Sequence, residues 1–159
     1  MAGHEAVDRL ADKAQVSGYF GSKDGLFDAV VAERTGHLLD TVAFDASDLA
    51  GWAVAMYDET LRNPSLVRLV AWLRLERRPA GRLTDHPHDE PKLTAIARAQ
   101  AAGQVRTGDP LDLFSLVLAM AFTWSAAGIV YAAGPDDPAV EQQRRRALLH
   151  ESVARAVAP

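Results

Sequence analysis

The sequence predicts an all-α protein, and three observations carry that prediction. Apolar residues recur at three- and four-residue spacing in one segment after another. No convincing run of Val, Ile or Thr alternates with polar residues as a half-buried strand would. Most Pro and Gly residues fall between the periodic segments, where they act as punctuation. The 159 residues suit one ordinary domain or a small head fused to a larger body. At 48% hydrophobic and 24% charged residues, the chain has enough apolar material for a core.

Seven helical segments follow in order. The first spans about Ala6 to Ala14, with Val7, Leu10, Ala11 and Ala14 on one stripe. The second starts at Ser22, a good N-cap, with Asp24 favouring the helix dipole. Its stripe is Leu26, Phe27, Val30 and Val31, and it continues through Leu38 and Leu39 to Val42, with Gly36 a weak point. The third starts near Asp45 or Ser47 and carries Leu49, Trp52, Ala53, Met56, Tyr57 and Leu61. Asn63-Pro64 then stops one helix and starts the next, which carries Leu66, Val67, Leu69, Val70 and Leu73. Periodicity lapses from Arg77 to Glu90, the longest expected loop. A fifth helix spans about Asp89 to Ala102 and ends at Gly103, a residue suited to the left-handed terminal position. A sixth runs from Asp109-Pro110 to about Ala132, apolar on nearly every face. Gly134-Pro135-Asp136-Asp137-Pro138 turns the chain into the last helix, with Val140, Ala147, Leu148, Leu149, Val153 and Val157.

Several function classes drop out. With no cysteine there are no disulfides, thiolate zinc sites or cysteine nucleophiles, and a cytoplasmic location is expected. The N-terminus lacks a basic region followed by an apolar run, so no signal peptide is expected. Leu111 to Ala133 is nearly long enough to span a bilayer, but it contains Asp112, Ser115, Thr123 and Ser125 and lacks flanking anchors. It reads as a core or interface helix, and no membrane partner is expected. No Gly-x-Ser-x-Gly elbow, Gly-rich phosphate loop or His-Glu-x-x-His helix is present, so neither enzyme activity nor a cofactor is expected. Asp85-His86-Pro87-His88-Asp89-Glu90 holds metal-ligating side chains, but on a loop they read as solvated, and no metal is assigned. Arg77-Arg78 and Arg144-Arg145-Arg146 read as solvated helix faces, with Glu76 and Glu141 nearby for pairing.

Leu10-Ala-Asp-Lys-Ala-Gln-Val-Ser17 followed by Gly18-Tyr-Phe-Gly-Ser-Lys-Asp-Gly-Leu-Phe-Asp-Ala-Val-Val31 resembles the DNA-binding head of the tetracycline-repressor (TetR) family. Phe20, Ser22, Lys23, Leu26 and Phe27 fall where the family pattern has them. The resemblance implies a helix-turn-helix head over residues 1–42, ending in a connecting helix, and an effector-binding and dimerisation bundle of antiparallel helices over 43–159. It also implies that Ser17, Tyr19 and Lys23 face operator DNA. Ala99 to Leu113 and Leu66 to Glu76 resemble parts of the family's sensor body. The head departs from the pattern because Val16-Ser17-Gly18-Tyr19-Phe20 leaves no room for a recognition helix. From Met1 to Arg34 four cations stand against six carboxylates, a net of −2 on a segment that should approach phosphates. The complete protein is therefore expected to carry a basic N-terminal arm and a recognition helix missing from this sequence.

Trp52, Met56, Trp72, Met120 and Trp124 fall on three helices that a TetR-like arrangement would place around one cavity. Either they fill the core, or some line a pocket for an uncharged aromatic or lipid-like effector. The apolar sixth helix predicts a homodimer through the last two helices, with Phe114, Leu118, Leu148 and Val153 at the interface. The function expected from all this is ligand-controlled transcription regulation, with a repressor released from its operator by a small apolar effector. The alternative is a dimer deficient in DNA binding that acts as a carrier or decoy.

Overall fold

The computed structural model describes residues 29–31, 33, 34, 36, 39–76, 80–82 and 89–159. The expected first helix, the Ser22 cap and the candidate DNA contacts Ser17, Tyr19 and Lys23 lie outside the described residues. So does most of the Asp85–Glu90 segment.

Helix α1, Leu49–Arg62, follows helical residues that end at Thr41 and a short link through Asp48. Asp48 caps α1 by accepting the Gly51 amide at 2.8 Å. Asn63 ends α1, donating its amide to the Glu59 carbonyl, and Pro64 opens α2, Pro64–Glu76, where a missing N–H costs nothing. Helix α3, Glu90–Ala101, closes at Gly103, whose φ of 68° is the left-handed value that favours glycine. Helix α4, Pro110–Ala121, is capped by Asp109, whose carboxylate accepts the amides of Leu111 and Asp112 at 2.7 and 3.1 Å. Helix α5, Ala139–Val157, is the longest of the five.

Every described element is helical, turn or irregular, in keeping with the all-α fold that the periodicity predicts. Helix α1 is the centre of the bundle and packs on α5, α4 and α2, while α3 packs on α4. The core combines Trp52, Ala53, Met56 and Tyr57 of α1 with Ile96 and Ala99 of α3. Leu113, Phe114, Val117 and Ala121 of α4 and Leu149 and Val153 of α5 complete it. Each set repeats at helical spacing, so a single stripe per helix carries the burial that drives folding.

One expectation is corrected. The sixth segment does not stay helical to Ala132; α4 stops at Ala121, and residues 122–138 form a chain of turns. Ser125 donates its amide to the Phe122 carbonyl, Gly128 to Ser125 and Ala133 to Trp124. Gly128 permits the close passage, since a Cβ there would lie 2.6 Å from the Tyr131 carbonyl oxygen and 2.7 Å from that of Thr123. Among the described residues no helix is long and apolar enough to cross a membrane.

Candidate effector and dimerisation surfaces

Three aromatic rings meet where α1, α4 and the 42–48 link converge. Trp52 stacks on Phe114 with centroids 5.5 Å apart, and Phe44 meets Trp52 edge-on at 5.1 Å and Phe114 at 6.2 Å. Trp52 is only 3% exposed, and its indole Nε1 has no acceptor among the described residues. Beside Phe44 opens a cleft of about 470 Å³, walled by Phe44 to Ser47 and by Ala95, Ala99 and Ala102. Arg98 and Gln104 lie at the same cleft. Asp45 lies there too, its carboxylate accepting the Ser47 amide at 2.8 Å and hydroxyl at 2.7 Å. Those bonds hold the Asp45 carboxyl below its ordinary value of 3.8.

The five residues expected around one cavity are spread through the bundle. Trp52 and Met56 are buried in the core of α1, while Met120 and Trp124 pack against that core from the α4 side. Trp124 meets Tyr57 edge-on at 5.9 Å. Trp72 is 45% exposed on α2. None of the five lines the cleft beside Phe44.

The four expected interface residues divide as well. Phe114 and Val153 are buried inside the protomer, Leu118 is half-buried against the core, and Leu148 is 52% exposed. Leu116 and Ala119 on α4, and Val140, Ala147 and Ala154 on α5, are also exposed. Val140, Ala147 and Ala154 follow a seven-residue spacing and so lie on one face of α5.

A polar network ties α5 to the turns that precede it, and sequence reasoning missed it. Tyr57 donates its hydroxyl to Gln142 Oε1 at 2.7 Å, and Gln142 Nε2 donates to the Gly134 carbonyl at 2.7 Å. Arg145 donates to Asp137 at 2.6 Å and lies over the Tyr131 ring at 4.7 Å, while the Tyr131 hydroxyl donates to the same carboxylate at 3.0 Å. Burial pushes the Tyr57 hydroxyl above its ordinary value of 10.0. Arg146 reaches Asp58 of α1 at 2.8 Å. The arginine run therefore splits: Arg144 pairs with Glu141 on the surface, as expected for a solvated face, but Arg145 turns inward. The available signal was spacing, because Gln142, Arg145, Leu149 and Val153 share one helical stripe.

The Arg145 bond, followed by that from Tyr131, holds the Asp137 carboxyl below its ordinary 3.8. Because the folded value is the lower one, this contact stabilises fully above about pH 3.8 and is lost as pH falls further, through the folded value. Asp137→Asn is expected to lower the melting temperature near pH 7. The deficit relative to the parent should shrink steadily below pH 4 in pH-scanned thermal unfolding, since the parent then loses the same contact.

At the N-terminal side, Lys92 of α3 donates to Asp40 at 2.6 Å. The ammonium is 7% exposed and the carboxylate 55%. This contact, with Leu39 in the core, fixes the end of the segment leading in from residues 1–42 onto the helical body. Among the described residues no three His, Asp or Glu side chains gather as a metal site.

Comparison with known proteins agrees with this architecture. Residues 48–155 match the family profile described as tetracyclin repressor-like, C-terminal domain. The HTH-type transcriptional repressor SCO4008 of Streptomyces coelicolor is 29% identical over 124 residues, which is 73% of this chain and 62% of the relative. The chain thus spans less than two thirds of that repressor's length. The crystal structure of SCO4942, a protein of the same organism classed as a transcriptional regulator, superimposes with a TM-score of 0.66 at 31% identity. That match covers 95% of this chain and 86% of the other. The matched span holds α1 to α4 and nearly all of α5, and the chain belongs to the tetracycline-repressor (TetR) family of transcriptional regulators.

Proposed function

We propose that the protein represses transcription as a homodimer and is released from operator DNA when a small apolar molecule binds its helical body. The family match over residues 48–155 carries this reading, and the head-like segment from Phe20 to Glu33 supports it from outside the matched span. The proposed dimer joins the exposed faces of α4 and α5 of two protomers as a four-helix bundle. Effector binding shifts α3 and α1. The Lys92–Asp40 contact and Leu39 pass that shift to the connecting segment, which changes the distance between the two heads. Heads no longer matched to successive major grooves, about 34 Å apart, lose their operator.

Selection of double-stranded DNA from a random pool by the full-length protein tests the reading. The expected product is a two-fold symmetric site with half-sites one helical turn, or a multiple of it, apart. Retention of DNA that is sequence-independent and lost at moderate salt would overturn it. Retention of no DNA at all would overturn it in favour of the DNA-binding-deficient carrier or decoy, with which the net charge of −2 on residues 1–34 agrees.

A further inference from the structure

Trp52 is almost wholly buried, yet its Nε1–H meets no acceptor among the described residues. A buried donor left unpaired is destabilising, and the native contacts around it must offset the cost. An incoming oxygen acceptor would recover that cost as binding free energy.

The two rings that cover Trp52 are not equally fixed. Phe114 belongs to α4 and is buried in the core. Phe44 is half-buried and lies on the irregular link between Thr41 and α1, without a helical hydrogen-bond ladder to hold it. It meets Trp52 edge-on at 5.1 Å and also walls the 470 Å³ cleft. Across that cleft, Ala95, Ala99 and Ala102 repeat at helical spacing and supply apolar surface, while Arg98 and Gln104 lie on the same side as its polar members.

We infer that this cleft, with Phe44 as its gate, receives a flat apolar molecule carrying a hydrogen-bond-acceptor oxygen. The molecule slides along the alanine wall, turns Phe44 aside and accepts the Trp52 Nε1–H. The inference rests on the effector reading above and specifies the chemistry of the effector. It also supplies the coupling, because Phe44 lies three residues beyond the end of the connecting segment at Thr41. A Phe44 that swings out pulls on that segment directly.

Two probes of nearly equal shape separate acceptor recognition from plain apolar binding: 2-acetylnaphthalene, with a carbonyl oxygen, and 2-ethylnaphthalene, without one. In the full-length ¹⁵N-labelled protein the indole N–H signals of Trp52, Trp72 and Trp124 are assigned with Trp52→Phe, Trp72→Phe and Trp124→Phe. The ketone is expected to move the Trp52 signal downfield and to bind roughly ten-fold more tightly than the hydrocarbon. Ala95→Leu, which narrows the cleft, should weaken both probes and leave the fold intact. Trp52→Phe should bring the two affinities together. Binding of the ketone that moves only the Trp72 or Trp124 signal would overturn the inference and leave the effector reading standing. Failure of both probes to bind would also overturn it, whereas the effector reading falls only if no small molecule dissolves the operator complex.

Discussion

Trp52→Ala is expected to lower the unfolding free energy by about 3–5 kcal/mol, and Trp72→Ala by only about 1 kcal/mol. Trp52 is buried between Phe44 and Phe114, so its removal leaves a cavity that the fixed α4 ring cannot fill. Trp72 keeps much of its surface in water, so truncation removes less burial and opens no enclosed void. Denaturant midpoints of the two variants, measured at equal slope, check the difference. The comparison also bears on the pocket. A Trp52→Ala variant far milder than 3 kcal/mol would mean that the neighbouring space is already loosely filled. An equally crippled Trp72→Ala variant would mean that the α2 face is covered in the native assembly. Met56 should behave like Trp52, and Trp124, packed on Tyr57 from the α4 side, should fall between the extremes.

The second large effect separates two residues of α5 that the sequence placed together. Leu148→Glu is expected to leave the protomer folded while weakening dimerisation at least about a hundred-fold, because symmetry brings the new charges together in pairs across a desolvated face. Val153→Glu is expected to prevent folding altogether. Val153 is fully buried in the hydrophobic core, where an ionised carboxylate is costly to desolvate. Light scattering reads the first and circular dichroism the second. A Leu148→Glu protein that remains dimeric would place the interface away from this face of α5. Leu116→Glu on α4 then tells whether the neighbouring helix carries it, since Leu116 is also exposed. The seven-residue spacing of Val140, Ala147 and Ala154 makes α5 the first surface to test.

Helix identity was legible in the sequence because it is local information. The Asn63-Pro64 junction, the helix start at Asp109-Pro110 and the stop at Gly103 each act within one turn of chain, and the structure has all three. The stripe Trp52, Ala53, Met56 and Tyr57 marked the buried face of α1 for the same reason. The motif from Phe20 to Glu33 pointed to the family from the sequence itself. What the sequence left open depended on partners far along the chain. Nothing in the apolar run from Leu111 to Ala133 marks where α4 stops. Apolarity carries no stop signal, and the turns after Ala121 are held by contacts such as Gln142 to Gly134 and Arg145 to Asp137. Period alone put Phe114 and Leu148 on one list of interface candidates. Only the packing of α1 against α4 and α5 decided that one is core and the other surface, because a helix has one buried stripe and its direction is set by its neighbours. Arg145 shows the same division. Its charge reads as solvent-facing, but its place on the stripe with Leu149 and Val153 carries it inward, where Asp137 and Tyr131 make burial tolerable.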